Sequence, residues 1–223
     1  MKKSIYILGA RLDGHSGVIV DTIRSTNMFE IAGFIDSTPE FRGKVIGGIP
    51  VIGSTDDLKN LNLSKKYLHI AIGDNFARNC LLGKIYEVGG IITTIIHPSA
   101  VISPNAIIGA GTFVGPGVII NNGVIIGEAC IINSGAIIEH DNQIGNAVHI
   151  APGATTAGRV KVKKLAFIGV GSTILPDIEI GEAAFVGAGS TVVKNVVFQD
   201  TVIRYAAKKY IKNIYEGIGE GDN

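Results

Sequence analysis

The chain has 223 residues, room for one large domain or two small ones, and two are expected. Twenty Lys and Arg against nineteen Asp and Glu leave a formal charge of +1, which excludes a bulk positive field for gathering nucleic acid or an anionic membrane, so any phosphate contacts are local. Charged residues at 17%, thirty glycines, no Trp and a mean hydropathy of +0.37 point away from disorder and towards a β-rich core turned by glycine.

The start, Met1-Lys2-Lys3, leads into an apolar stretch of only residues 5–8 before a Gly-rich turn, which reads as a first strand and not as a leader. No apolar run reaches the roughly 20 residues of a spanning helix, because Gly, Asn or a charge interrupts each one. Strands are predicted at 4–8, 31–35, 66–72 and 91–96, and helices at 18–25 and 75–88. That alternation over residues 1–96 implies a small α/β domain with a Rossmann-like parallel sheet. Ligands bind such sheets beyond the carboxyl ends of the strands. Three polar segments fall there: 9–16 with Gly14, His15 and Ser16, then Asp36 and Ser37, then 73–75 with Gly73 and Asp74. Cys80 and Cys130, the only cysteines, lie in different predicted domains without metal-type spacing, as in a reduced cytoplasmic protein.

From residue 97 the pattern has a period of six, neither the 3.6 of a helix nor the 2 of a strand. Stepping by six from Ile102 to Val192 meets Ile or Val at fifteen of sixteen positions, Thr156 being the exception. Four residues beyond each, a small or aliphatic residue such as Ala106, Cys130 or Ala154 recurs. Hexapeptide repeats are the signature of a parallel β-helix. Each unit is one short strand and a turn, with the branched side chain inward and Gly, Asn or Asp at the corner. Three units make a triangular coil of 18 residues, so residues 18 apart stack at about 4.8 Å and the coils fold as an array.

Repeats alone imply no chemistry, so function rests on residues that break the pattern. His140, flanked by Glu139 and Asp141, lies two positions past an inward Ile, where a side chain faces a turn or solvent. An imidazole with a carboxylate to fix its tautomer is the kit of a general base; a solvated surface His is the alternative. Eighteen residues on, Gly158 falls one coil away, and its N–H is a candidate oxyanion donor, a kind of contact whose loss costs roughly 3 to 4 kcal/mol; a plain turn glycine is the alternative. Asn122 lies on the other side. His149 precedes inward Ile150, so it points outward in a different direction from His140, and support of other site residues or ligand contact suits it better than catalysis. Lys161, Lys163 and Lys164 form either an anion patch or a solvated corner.

The segments Ile138-Glu139-His140-Asp141, Ile144-Gly145 and Val148-His149-Ile150-Ala151-Pro152-Gly153-Ala154, with His97-Pro98-Ser99-Ala100 at the lead into the repeats and Gly33-Phe34-Ile35-Asp36 in the second strand, resemble the bacterial sugar O- and N-acyltransferases of the NeuD/PglD type. The likeness covers residues 1–196. It implies a nucleotide-sugar-binding domain at 1–96, a left-handed β-helix at 97–196, a tail at 197–223, and a homotrimer with acetyl-CoA laid between neighbouring helices. It makes His140 the base that deprotonates the sugar amine or hydroxyl, with Asp141 as its support. His149, Gly158, Val170 and Ala188 become the contacts to acetyl-CoA, the last two one coil apart. Gly14, His15, Ser16, Asp36, Ser37, Gly73 and Asp74 become the contacts to the nucleotide sugar. The chain departs from the family's compact Gly-Ala-x-Gly-His-Gly loop, having Gly9-Ala10-Arg11-Leu12-Asp13-Gly14-His15-Ser16, and from its Gly-Val-Pro-Ala-Lys ending, having Arg204-Tyr205-Ala206-Ala207-Lys208 and a tail compatible with a short helix.

The expected function is acetyl-CoA-dependent N-acetylation of a nucleotide-linked amino-deoxy sugar by direct attack, since no Ser or Cys has a base placed by sequence to activate it. O-acetylation of a sugar such as sialic acid uses the same motif. From other classes come a dinucleotide-binding module, for which Gly9, Gly14 and Gly17 lack the Gly-x-Gly-x-x-Gly spacing, and a non-catalytic trimeric scaffold, which would bind no acetyl-CoA.

Overall fold

In a computed structural model, residues 2–203 are described. β1 (Lys3–Leu8) runs through the middle of a sheet because Ile5, Ile7 and Leu8 are fully buried, on both of its faces. α1 (His15–Thr26), β2 (Phe29–Ile35), β3 (Val45–Ile46), β4 (Ile49–Gly53), β5 (Tyr67–Ile70), α2 (Asn75–Glu87) and β6 (Ile91–Ile92) complete the first domain. The strand order is β3-β4-β2-β1-β5-β6, parallel throughout except for the β3–β4 hairpin. The carboxyl ends of β1, β2 and β5 meet: Gly9 N–H donates to Ile35 O at 3.0 Å and Ala71 N–H to Leu8 O at 2.7 Å. The three polar loops predicted to bind a ligand therefore share one end of the sheet.

Two departures from the sequence reading have simple causes. The sequence pattern predicts no element over residues 38–65, yet they hold the hairpin, which turns through Gly47 and Gly48 with φ of +55° and +81°, the backbone twist that two-residue hairpins need. The strand expected at 91–96 is two strands. Ile91–Ile92 closes the α/β sheet, whereas Ile95–Ile96 is the first rung of the solenoid. Between them Thr93 N–H bonds Leu68 O at 2.8 Å, and Thr94 Oγ1 donates across to Gly109 O at 3.0 Å. An unbroken apolar run cannot reveal that its halves serve different sheets.

From Ile95 the chain winds as a triangular parallel β-helix whose two-residue rungs pair at intervals of 18, as Phe113 with Ile131 and Ile131 with His149. Ile95–Ile96, Phe113–Val114, Ile131–Ile132, His149–Ile150, Phe167–Ile168, Phe185–Val186 and Thr201–Val202 form the first face. The second runs from Val101–Ile102 to Thr191–Val192, and the third from Ile107–Ile108 to Glu179–Ile180. The predicted inward ladder is the core: Val114, Ile132, Ile150, Ile168 and Val186 stack in the axis with no more than traces of exposure. The polar exception, Thr156, is also fully buried. From Gly111 to Gly189 the corner residue three past each inward one takes positive φ, and seven of these are not glycine, Asp141, Arg159 and Leu165 among them. Ladder bonds on both sides hold them in a conformation that costs about 1 kcal/mol or more each.

The last coil breaks the period. Phe185 pairs with Thr201 and Ile180 with Val196, a spacing of sixteen, so Val196 turns inward while Phe198 is left exposed. The solenoid thus extends into the segment read as tail, whereas the helix expected around 204–212 lies outside the described residues.

Ile150→Ala should cost about 2–5 kcal/mol in urea unfolding, while Met28→Ala, at an exposed position, should stay within about 0.5 kcal/mol. Equal losses at both would contradict the inward ladder.

Candidate active site

His140 sits at the edge between the second and third faces. Arg159 N–H donates to its carbonyl at 2.9 Å and Asp141 N–H bonds Asn122 O in the coil below at 2.9 Å. Asn142, fully buried, donates through Nδ2 to Glu139 O and Ala157 O at 2.7 Å each, tying the loop to the next coil. On this fixed backbone His140 Nδ1 meets Asp141 Oδ2 at 2.9 Å. With both side chains about half exposed, at 48% and 57%, the pair is screened, and its value is geometric: Nδ1–H donates to the carboxylate and Nε2 keeps its lone pair for a proton.

Two glycines make room for this pair. A Cβ on Gly158 would lie 2.6 Å from both Cε1 and Nε2 of His140, so the imidazole rests on bare backbone. A Cβ on Gly123, which has φ of +72°, would meet Asp141 Oδ1 at 2.5 Å. Pro104, Pro116, Pro152 and Pro176 occupy the turn position that Gly158 occupies here, so the fold needs no N–H at that place, and the Gly158 N–H has no partner among the described residues. The sequence reading anticipated Gly158 by its spacing of 18; Gly123, Asn142 and their packing roles it did not identify.

His149 points out of the coil as predicted, yet it is not free, because the α/β domain covers it. Its ring packs edge-on against Phe167 with centroids 4.9 Å apart and lies 6.3 Å from His15, which in turn packs edge-on against Phe113. Asn133 Nδ2 is 3.3 Å from His149 Nε2, while His149 Nδ1 and His15 Nε2 have no partner among the described residues. Burial is the main cause that pushes His15 down to about 3, His69 to about 4 and His149 to about 4. The field of Arg78 adds to all three, and for His15 those of His149 and His69 as well. Backbone contacts with Thr93 and Gly73 work the other way for His69 and His149.

Of the predicted sugar-side residues, Asp36 accepts from Ala10 N–H through Oδ2 and from Thr38 N–H through Oδ1, each at 2.7 Å, so it shapes the loop mouth. Ser16 is buried with its hydroxyl donating to Gly9 O at 2.7 Å, and it therefore faces into the fold and not the open loop. Gly14 precedes α1, whose first turn carries no acid, leaving the positive end of the helix uncovered. Ser37, Gly73 and Asp74 are exposed, and Asp74 caps α2 by accepting from Ala77 N–H at 2.7 Å. The lysine cluster is not bare: Lys163 pairs with Glu179 at 3.4 Å and Lys164 with Glu182 at 3.2 Å.

Three groups result, on different parts of one prism. The loops of the α/β domain gather with His149 on the first face. Val170 and Ala188, joined through Gly189 N–H to Val170 O at 2.8 Å, mark the edge between the first and second faces. His140 and Gly158 lie on the edge opposite the first face. A single chain does not bring them together.

Residues 4–85 match the family model described as the PglD N-terminal domain. A variant of perosamine N-acetyltransferase from Caulobacter crescentus, solved in complex with CoA and GDP-perosamine, is 35% identical over 90% of this chain and 93% of that one, with a TM-score of 0.82. The acetyltransferase domain of PglB from Neisseria gonorrhoeae FA1090 in complex with acetyl coenzyme A is 27% identical over 92% and 97%, with a TM-score of 0.84. WeeI from Acinetobacter baumannii AYE is 28% identical over 91% and 97%, with a TM-score of 0.79. No curated protein sequence matches. The fold and site define a hexapeptide-repeat acyltransferase with a left-handed β-helix, and the chain belongs to the NeuD/PglD-type sugar acyltransferase family.

The buried histidines carry a pH dependence. A group whose folded-state pKa lies below its unfolded value of about 6.5 binds its proton preferentially in the unfolded chain, so stability is complete above that pH and falls from there towards about pH 4. Urea midpoints should drop between pH 7 and pH 5, and His149→Gln should flatten that slope. An unchanged slope in the variant would remove His149 from the linkage.

Proposed function

We propose that this protein is a cytoplasmic, acetyl-CoA-dependent N-acetyltransferase acting on a nucleotide-linked amino-deoxy sugar. The observation that carries the reading is the imidazole of His140, oriented by Asp141 and lying against the bare backbone of Gly158. The sugar amine attacks the thioester carbon and the C–N bond forms. The Gly158 N–H donates to the oxyanion, and His140 Nε2 takes the proton from the ammonium. The C–S bond then breaks, and the CoA thiolate leaves with the proton that His140 returns. Asp141 holds the ring and stabilises the imidazolium between these two transfers. The relatives solved with CoA and GDP-perosamine or with acetyl coenzyme A support the choice of co-substrate and acceptor class.

The same reading takes the protein as a homotrimer. His140 and Gly158 on one edge, and the sugar loops with His149 on the opposite face, form one site only if a second copy sets its edge against that face. Acetyl-CoA then lies in the groove between copies, along Val170 and Ala188.

His140→Ala should lower turnover by about 10²- to 10⁴-fold with acetyl-CoA affinity by calorimetry unchanged; near-normal thiol release would defeat the assignment. Gly158→Ala, which pushes a methyl into the imidazole, should reproduce most of that loss in a protein that unfolds at a similar temperature. Across a panel of nucleotide sugars only the amino sugars should saturate, and saturation by hydroxyl acceptors would turn the reading to O-acetylation. Co-expressing His140→Ala with Asp36→Ala should restore activity to about one quarter of wild type if each site is shared by two copies. No recovery would place the whole site in one chain.

A further inference from the structure

Within the apolar contacts that join the α/β domain to the solenoid lies one buried cation. Arg78, on the first turns of α2, is 1% exposed, and every hydrogen bond of its guanidinium ends on a neutral oxygen. Nε donates to Ala129 O at 2.6 Å. Nη1 donates to Ile72 O and Gly73 O at 3.0 Å each, and Nη2 to Asn75 Oδ1 at 2.7 Å and Ala147 O at 3.0 Å. Asn75, one turn earlier and also buried, donates through Nδ2 to Leu165 O at 2.9 Å and Ala166 O at 3.0 Å. Ala129, Ala147 and Leu165 are the left-handed corner residues of three successive coils, with φ of +50°, +53° and +64°, and the coil ladder leaves their carbonyls unpaired. Helix α2 therefore engages three coils with two polar side chains, Arg78 bonding the first two and Asn75 the third.

A buried guanidinium without a carboxylate is costly to desolvate, and hydrophobic packing would join two domains more cheaply. What a planar, five-donor fork adds is geometry. Two of its bonds run to the Gly73 loop at the mouth of the sheet and two to the coils carrying Ala129 and Ala147. His149 is two residues beyond Ala147, and His140 lies in the same coil.

We propose that Arg78, braced by Asn75, is a positioning residue that sets the Gly73–Asp74 loop at the level of the coil carrying His149 and His140, and so fixes where the sugar amine is presented. The inference rests on the functional reading above. Rocking of the domain on the solenoid would move the amine away from the thioester, and errors near 1 Å at this stage cost on the order of a hundredfold in rate. The thioester side, built on the solenoid edges, is untouched by that motion.

Arg78→Met and Asn75→Ala provide the test, with Asn75→Ala keeping the guanidinium in place should the first variant fail to fold. The kcat/KM for the nucleotide amino sugar should fall at least about tenfold, while KM and calorimetric affinity for acetyl-CoA stay at wild-type values. Amide hydrogen exchange should quicken at residues 72–75 and 147–149. Unchanged sugar kinetics in a folded variant, or equal losses for sugar and acetyl-CoA, would overturn the positioning role. If wild-type protein turns over no nucleotide amino sugar, the functional reading fails instead, and the exchange rates still decide whether the clamp exists: unchanged rates refute it.

Discussion

Everything at the His140 edge depends on the hydrogen-bond ladder that ties each coil to the next. Glu139 N–H bonds Thr156 O at 3.0 Å, Asp141 N–H bonds Asn122 O at 2.9 Å, and the His140 carbonyl receives Arg159 N–H at 2.9 Å. Backbone held from above and below in this way cannot relax when a side chain is changed, so Asp141 and Arg159 accept left-handed conformations that would be strained elsewhere. On the proposed reading the rigidity is useful, because an imidazole, a carboxylate and an N–H would have to keep their mutual geometry through two proton transfers. A loop of the same composition would have to be ordered at each turnover.

The edge is built as much by what is missing as by what is present. Gly158 and Gly123 each stand where a methyl group would collide with the His140–Asp141 pair, one against the imidazole and one against the carboxylate. The pair itself is half exposed in the single chain, which leaves its electrostatics weak in water.

The opposite face follows a different logic. There the α/β domain buries His15, His69 and His149 around Arg78 with no acid among the groups that Arg78 bonds, so the histidines stay neutral and the guanidinium is held by carbonyl dipoles. Burial keeps the charge count of that interface constant over the physiological range, and it ties domain docking to pH only under acidic conditions.

The solenoid was legible in the sequence because a six-residue period with branched inward side chains has no other compact solution, and the spacing of 18 carried Gly158 to His140 without further information. The carboxyl-end loops were legible from strand order, and His140 beside Asp141 from their break in the repeat, their catalytic roles being what the resemblance implies. Illegible were the split of residues 91–96 between two sheets, the coil shortened by two residues, and the cover over His149, since each depends on which surfaces meet and not on local pattern. Arg78 reads in the sequence as an ordinary helix cation; only the tertiary structure places it against three coils, because its partners are backbone carbonyls, and backbone carbonyls carry no mark in the residue string. The repeat decided what the chain builds, and the docking of one domain on a single face of the prism decided which of its residues can share a site.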